Sequence, residues 1–195
     1  MKNELKQVLE KWDLLRHPFY QAWSAGTLGV EGLALYAREY GPFIRTLERG
    51  WTALGDPETA QEEREHAQLW DQFTEALETA PAPARLRESI ALTSCANELF
   101  RERASTLGAM YAFEAQQPAT AESKLHGLRT HYALPAEAER YFELHCSNGH
   151  EAERLLLQLG GLSPAMKTQA ASACESMAEA LWNALTGIHH TACPS

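Results

Sequence analysis

The sequence predicts an all-α fold, and three observations carry that expectation. Ala, Leu, Glu, Gln and Arg dominate while β-branched residues are few, and straight-chain residues lose little side-chain freedom on a helix. Apolar residues recur at spacings of three and four, the period of one helical face. The Gly and Pro signals that end elements lie far apart, so the elements between them are long.

In chain order, residues 2–16 place Leu5, Val8, Leu9, Trp12 and Leu15 on one face. His17-Pro18 ends this first helix, because the residue before proline is pushed out of the helical region. A second helix is expected from Val30 to Leu54, with Leu33, Tyr36, Tyr40, Phe43, Leu47 and Trp51 on its stripe and Gly55 as its stop. Asp56-Pro57 reads as a cap and first helical position for a third helix reaching Thr79. The segment Ala80-Pro81-Ala82-Pro83 is short enough to join neighbouring helices without dividing domains. A fourth helix spans Ala84–Gln117, bent or ended by Pro118, and a fifth spans Ala119–His131. Leu134-Pro135 opens a sixth helix that runs to Leu159 before Gly160-Gly161, and Ser163-Pro164 caps a seventh that runs to His189. The expected architecture is a seven-helix bundle.

The 195 residues are expected to form one domain over 1–195, long enough to bury about two-thirds of the surface an unfolded chain exposes. With 17 Lys+Arg against 26 Asp+Glu the net charge is −9. The basic residues are interspersed with acids, so neither nucleic acid nor an anionic membrane surface is expected as a partner. The start, MKNELKQVLEKWDLL, carries charges where a signal peptide needs an apolar run, and no stretch reaches the ~20 apolar residues of a spanning helix. A cytoplasmic protein follows as the expectation. Cys95, Cys146, Cys174 and Cys193 form no CxxC pair and are read as reduced thiols.

Three segments carry residues with metal or acid/base chemistry. Glu62 and His66 lie four apart in Glu62-Glu63-Arg64-Glu65-His66 and so share a face. A carboxylate and an imidazole one turn apart serve as ligands in carboxylate-bridged di-iron bundles; the same letters also describe an acidic surface turn. Glu114 sits among Tyr111, Ala112, Phe113 and Ala115, where an ionised carboxylate needs a metal, an Arg or a hydrogen-bond network to compensate it. Pro118 lacks the N–H that would bond the carbonyl of Glu114, so the helix is deformed beside that acid. A Glu on the polar face near a helix end remains the alternative.

The third segment, Tyr141-Phe-Glu-Leu-His145-Cys-Ser-Asn-Gly-His150-Glu151-Ala-Glu153, places His145, His150 and Glu153 within nine residues. His145 and His150 are about 140° apart on a regular helix. One residue accommodated as a π-bulge near Asn148-Gly149 would bring His145, His150 and Glu153 to one face. Cys146 beside His145 is a conceivable nucleophile, although a buried inert thiol is commoner. His17, His126, His131, His189 and His190 are read as structural. No GxSxG, Walker loop or dinucleotide glycine motif occurs.

These segments resemble the haem-oxygenase-like superfamily, which includes TenA-type thiaminases, pyrroloquinoline-quinone synthase and non-haem di-iron oxidases related to the chlamydial death-domain-associating protein. The resemblance begins at His17-Pro-Phe-Tyr-Gln-Ala-Trp-Ser-Ala-Gly26 and continues through Glu62…His66-Ala-Gln-Leu-Trp70. Its most specific part is Leu107-Gly-Ala-Met-Tyr-Ala-Phe-Glu-Ala-Gln-Gln-Pro118, followed by Lys124-Leu-His-Gly-Leu-Arg-Thr-His-Tyr132 and Tyr141-Phe-Glu-Leu-His145. It implies a seven-helix bundle with a central pocket, usually in a homodimer.

In the di-iron branch the corresponding Glu and His residues are ligands, which maps onto Glu114, His145 and His66, with Glu62 as the upstream carboxylate. That branch ends its motif as HxxxDxxH, whereas here the two later positions are Gly149 and Ala152. Either His150 and Glu153 substitute through the bulge or the second metal site is lost.

The resemblance implies an oxidase or oxygenase acting with O₂ on a small organic molecule through two iron ions, with manganese as the other metal such ligands suit. One branch makes 4-aminobenzoate from a tyrosine of its own chain, which makes Tyr20, Tyr36, Tyr40, Tyr111 and Tyr141 conceivable redox partners. A metal-free enzyme resembling the quinone synthase or thiaminase, using acids and histidines as acid/base groups, and a non-catalytic ligand-binding relative are the other two readings.

Overall fold

The computed structural model describes residues 1–147 and 149–193. Eleven α-helices occur among them: α1 Lys2–Lys11, α2 Pro18–Ser24, α3 Val30–Ile44, α4 Leu47–Leu54, α5 Pro57–Ala76, α6 Arg87–Leu99, α7 Arg103–Glu114, α8 Gln117–His131, α9 Arg140–Cys146, α10 His150–Gly160 and α11 Pro164–Ala192. Short 3₁₀ turns at Leu14–Arg16 and Ala136–Ala138 complete the element order, and no strand occurs among the described residues. Eight of these helices, and not the expected seven, are ten residues or longer.

The extra elements have local causes. Pro42 lies inside α3 and supplies no N–H to the carbonyl of Arg38, so the ladder loses a rung there, and α3 stops two residues later. The expected helix 30–54 is therefore two, α3 and α4. The expected helix 84–117 is divided at Phe100–Glu102. This turn keeps Phe100 buried and lets Arg103 donate to the Leu54 carbonyl at 2.9 Å and to Gln158 Oε1 at 2.6 Å. Pro118 does not end α7 itself; it sits in the first turn of α8, where its missing N–H costs nothing. The expected sixth helix resolves into a 3₁₀ turn, α9 and α10. The bulge expected near Asn148-Gly149 falls partly outside the described residues, and on either side of it one helix ends and another begins.

The caps follow the sequence closely. Gly55 closes α4 at φ +79°, a left-handed conformation that glycine adopts without strain. Asp56 then accepts from the Thr59 N–H at 3.1 Å and starts α5 behind Pro57. The expected first helix over residues 2–16 stops early, at Lys11, and Asp13 caps a separate 3₁₀ turn at Leu14–Arg16, so His17 does not end α1 but starts α2. Its Nδ1 accepts the Phe19 N–H at 3.0 Å and caps α2, while Nε2–H donates to Thr186 Oγ1 of α11 at 3.0 Å. Buried Glu39 accepts from the backbone N–H groups of Arg85 and Leu86, at 2.9 Å to each, and so anchors the linker before α6.

His17 makes folding pH-dependent. Burial, then the neighbouring His189 and His190, pull its pKa from 6.5 to about 4, so the unfolded chain takes up a proton at a pH where the folded one does not. Its contribution to stability is intact above 6.5 and declines as the pH falls towards 4. His17→Asn keeps a capping side chain but does not titrate. It is expected to flatten the fall of Tm between those pH values, leaving the share due to His145; an unchanged slope would remove His17 as a cause.

Within the bundle α7 is buried almost all round, from Ala104 to Met110 and from Ala112 to Glu114, as befits a central helix. The 29-residue α11 packs along it and buries Ala170, Cys174, Met177, Leu181 and Leu185 in the core. Gly108 lets the two backbones approach: a Cβ there would overlap the carbonyl oxygen of Ala170 and stand 2.7 Å from its carbonyl carbon. On the other side of the core α2, α3, α5 and α9 contribute Phe19, Trp23, Tyr36, Trp70, Phe73, Tyr141 and Phe142, all fully buried. The middle of the bundle is thus filled by rings, and the clefts around it open at the surface. The polar residues of interest lie at one end of this ring-filled interior.

Candidate metal centre

α5 presents its buried stripe through Thr59, Ala60, Glu63, Trp70, Phe73 and Thr74. His66 lies on the same side, three after Glu63 and four before Trp70, with a side chain only 12% exposed. His145 comes from the last turn of α9 and is buried. Glu63, His66 and His145 each bring a ligand atom within 4.8 Å of the others, and the two imidazoles meet edge to face at 4.7 Å.

The tautomer of His145 is set by its neighbour. Its Nδ1 lies 2.6 Å from the Tyr141 carbonyl oxygen, which only accepts, so Nδ1 carries the proton and Nε2 offers a lone pair. A backbone carbonyl orienting the second nitrogen in this way is usual for metal-ligating histidines. Burial is the main reason why its pKa falls to about 3, with His66 and Lys124 adding to the fall and the carbonyl bond opposing it. His145 is thus neutral, the state a ligand needs. Burial also disfavours the charged form of His66, but Glu63 first, then Glu62 and Glu151, outweigh it and raise its pKa.

Two more buried carboxylates stand close by. Glu114 is the last residue of α7 and Glu151 lies in the first turn of α10, which packs against α7. The Glu114 pKa is pushed well above the ordinary carboxylate range by burial and then by the charges of Glu63 and Glu151, with the Trp51 indole opposing. Glu151 pairs with His150 Nε2 at 3.0 Å. On the outer side Glu63 lines a cleft of about 270 Å³ with Arg45, Glu48, Arg64 and Asp71, its rims joined by the Arg45–Asp71 and Arg64–Glu48 ion pairs.

Three buried polar atoms here have no hydrogen-bond partner: Glu63 Oε2, His66 Nδ1 and Glu114 Oε1. His66 Nδ1 lies 3.5 Å from the other Glu63 oxygen, Oε1, too far to be satisfied by it. An unpaired buried carboxylate is costly, and a cation here would relieve the repulsion that Glu63 and Glu151 exert on Glu114. Borderline imidazole and hard carboxylate donors without thiolate suit iron or manganese. On these observations the residues fit a metal.

The expected set is only partly brought together. His66 and His145 meet in the cluster and Glu114 is buried near enough to feel the Glu63 charge, whereas Glu62 is exposed and its neighbour Glu63 takes the inner position. The reason is registry: three and four residues both return to a helix face, and the buried stripe of α5 passes through 63, 66 and 70. His150 has a side chain 61% exposed and Glu153 is exposed, so neither reaches the cluster; Glu151, four before buried Leu155 and eight before buried Leu159, turns inward. That spacing was the signal for Glu151.

A further buried group went unremarked in the sequence. Lys124 of α8 lies 3.3 Å from both the Tyr20 and the Tyr36 hydroxyls, which are 3.3 Å apart. Its ammonium faces the rings of Tyr20 at 4.9 Å and Phe142 at 5.3 Å. Burial lowers its pKa to about 7 and raises those of both phenols. Near neutral pH the amine is thus able to take up a proton, while the phenols keep theirs.

Comparisons with known proteins agree with this chemistry. Residues 53–184 match a family described as iron-containing redox enzymes. A 4-aminobenzoate synthase of Nitrosomonas europaea is 26% identical over 98% of this chain and 92% of its own length. The protein of that name from Chlamydia pneumoniae is also 26% identical, over 94% and 92%. Among solved structures, a TenA homologue from Pseudomonas syringae superposes with a TM-score of 0.77 at 14% identity, covering 95% of this chain and 91% of that one. A protein with a haem-oxygenase-like fold from Shewanella denitrificans gives 0.78 at 14% identity, covering 95% and 90%. These likenesses establish a haem-oxygenase-like fold. With a match across residues 53–184, about two-thirds of its length, the chain belongs to the family of iron-containing redox enzymes.

Proposed function

We propose that this chain is an oxidase that uses O₂ and two metal ions, held by Glu63, His66, Glu114, His145 and Glu151, to make 4-aminobenzoate or a closely related small aromatic product. The observation that carries the metal reading is the set of three partnerless buried ligand atoms, Glu63 Oε2, His66 Nδ1 and Glu114 Oε1. Two imidazoles and three carboxylates form a donor set large enough for a pair of ions, iron in both places or manganese in one. When bound, the metal supplies the capacity to reduce O₂ and oxidise an organic group, chemistry that protein side chains lack.

The residues of the chain supply the rest. Glu63 and Glu114 balance the cationic charge, and the Tyr141 carbonyl keeps the His145 lone pair directed inward. The packed rings of Trp70, Tyr141 and Phe142 exclude water, which strengthens each of these electrostatic contacts. The substrate reading rests on the named relatives, together with the resemblance of this chain to a branch that draws on its own tyrosine. Tyr20 and Tyr36 meet that demand because both phenols are buried beside an amine able to accept a proton. We take the working form to be a cytoplasmic homodimer of one-domain subunits, which sedimentation of the native protein tests.

Protein grown on ring-labelled tyrosine, loaded anaerobically with Fe(II) and then given O₂ and a reductant, is expected to release labelled 4-aminobenzoate, no more than one per chain. Unlabelled product would make the substrate external. Failure to bind iron would remove the metal reading altogether.

A further inference from the structure

The five ligand side chains named above are almost closed off from water. Glu63, Glu114, His145 and Glu151 are each at most 6% exposed, and the His66 side chain 12%. A metal ion arrives hydrated and needs a way in. The clefts between α1 and α7–α8 and between α6 and α11 hold none of the five ligands. The cleft beside α5 does hold one, because Glu63 lines it together with Arg45, Glu48, Arg64, Ala67 and Asp71. Glu63 is thus common to this cleft and to the cluster with His66 and His145.

We propose that the cleft is the loading site for a divalent cation, in which Glu48 and Asp71 exchange their arginine partners for the incoming ion and Glu63 then draws it into the cluster. The proposal rests on the metal reading above and concerns how the centre is filled, not what it catalyses.

Acidic side chains around a cleft do not by themselves make a cation site, but here the floor adds an independent reason. Glu63 is 5% exposed and its Oε2 has no hydrogen-bond partner, so a cation arriving from the cleft relieves a cost that the fold otherwise carries. Three carboxylates face two guanidinium groups, which leaves the lining net negative, and the low-dielectric walls of a cleft focus such a field on its opening. The cleft encloses about 270 Å³. Six waters around an ion take roughly 180 Å³ at liquid density, so a hydrated ion fits.

The arginines cover the opening without sealing it. Arg64 of α5 pairs with Glu48 of α4, and Arg45, just beyond α3, pairs with Asp71 of α5. Each arginine has a second acceptor one turn back along the chain, Gln61 Oε1 at 2.6 Å for Arg64 and the Gly41 carbonyl at 3.1 Å for Arg45. A guanidinium released by its carboxylate therefore keeps a partner. All four side chains are at least 34% exposed, and ion pairs at such exposure are weak, so they part for an ion that brings two charges.

The test reads rates and affinity separately, because a route alters uptake and release by one factor and leaves their ratio, the dissociation constant, where it was. Metal-free protein is mixed anaerobically with Fe(II), and excess chelator added at intervals traps the ion not yet bound. Release is followed as loaded protein loses iron to the same chelator. Ala67→Phe narrows the cleft without touching a ligand and is expected to slow both rates by more than about tenfold, with the iron held at equilibrium unchanged.

A second variant stays on the surface and spares the packing of α5. Glu48→Gln with Asp71→Asn leaves both arginines beside Glu63 and is expected to slow uptake by about tenfold at low salt. The difference from the parent should shrink towards 1 M salt, where charges are screened within about 3 Å. Glu58→Gln with Glu122→Gln removes the same charge from exposed positions outside the cleft and is expected to load as the parent does. Uptake at the parent rate in either cleft variant, or equal slowing by the outer pair, overturns the loading site. Parent protein that binds no iron at equilibrium overturns the metal reading instead.

Discussion

Replacing His145 with Ala is expected to give a folded protein that no longer holds iron. His145 offers an inward Nε2 lone pair because its Nδ1–H donates to the Tyr141 carbonyl. Loss of a mere supporting partner costs roughly 10–100-fold in metal affinity, so loss of the ligand itself is expected to exceed about 100-fold on the same scale. The substitution removes a neutral ring and strands no charge, so the fold is expected to survive. Competition for Fe(II) against a coloured chelator measures the effect.

A second pair of variants decides between adjacent residues. Glu63→Ala is expected to lose iron as His145→Ala does, and Glu62→Ala to keep it, because only Glu63 is buried beside His66. Retention of iron by Glu63→Ala with loss in Glu62→Ala would reverse the assignment of the α5 carboxylate.

Gly108→Ala is expected to destabilise the protein by about 3 kcal/mol or more, at the upper end of overpacking effects. The sign is informative because the same change in an exposed helix stabilises by about 1 kcal/mol. Here the added methyl would overlap the backbone carbonyl of Ala170, and a backbone atom cannot swing aside as a side-chain tip does. α7 and α11 would have to move apart along the most buried part of the molecule. Thermal unfolding of the parent and variant tests this, and an unchanged or raised Tm would show that the two helices are not held at this separation. Glu114 lies on α7 six residues further on, so a milder version of this change is also expected to weaken iron binding.

The legible and illegible parts of this protein divide along a physical line. Helical content, Asp56-Pro57 as the start of α5, Gly55 as the stop of α4 and Ser163-Pro164 as the start of α11 depend on backbone groups a few residues away, and each was readable. Pro42 was equally local and was passed over because the apolar period ran through it. The division at Phe100–Glu102 had no local mark, since it serves the reach of Arg103 to Leu54 and Gln158.

The proposed metal centre divides the same way. His66, Glu114 and His145 were legible because each stands in a distinctive run of neighbours. Glu62 was chosen over Glu63, and Glu153 over Glu151, because spacing tells which residues share a face and not which face is inward. The buried stripes through Trp70 on α5 and through Leu155 and Leu159 on α10 decide that. The expectation that His150 would join the cluster assumed a continuous helix where two separate ones meet.

By itself the sequence determined that the chain is helical, where most helices begin, and that acids and imidazoles stand among apolar residues. Only the tertiary structure decided which carboxylates turn inward, and that Lys124 meets phenols from α2 and α3. Caps and propensities act between neighbours along the chain. Burial, the cost of an unpaired charge and the approach of two backbones arise only when distant segments displace water from one another.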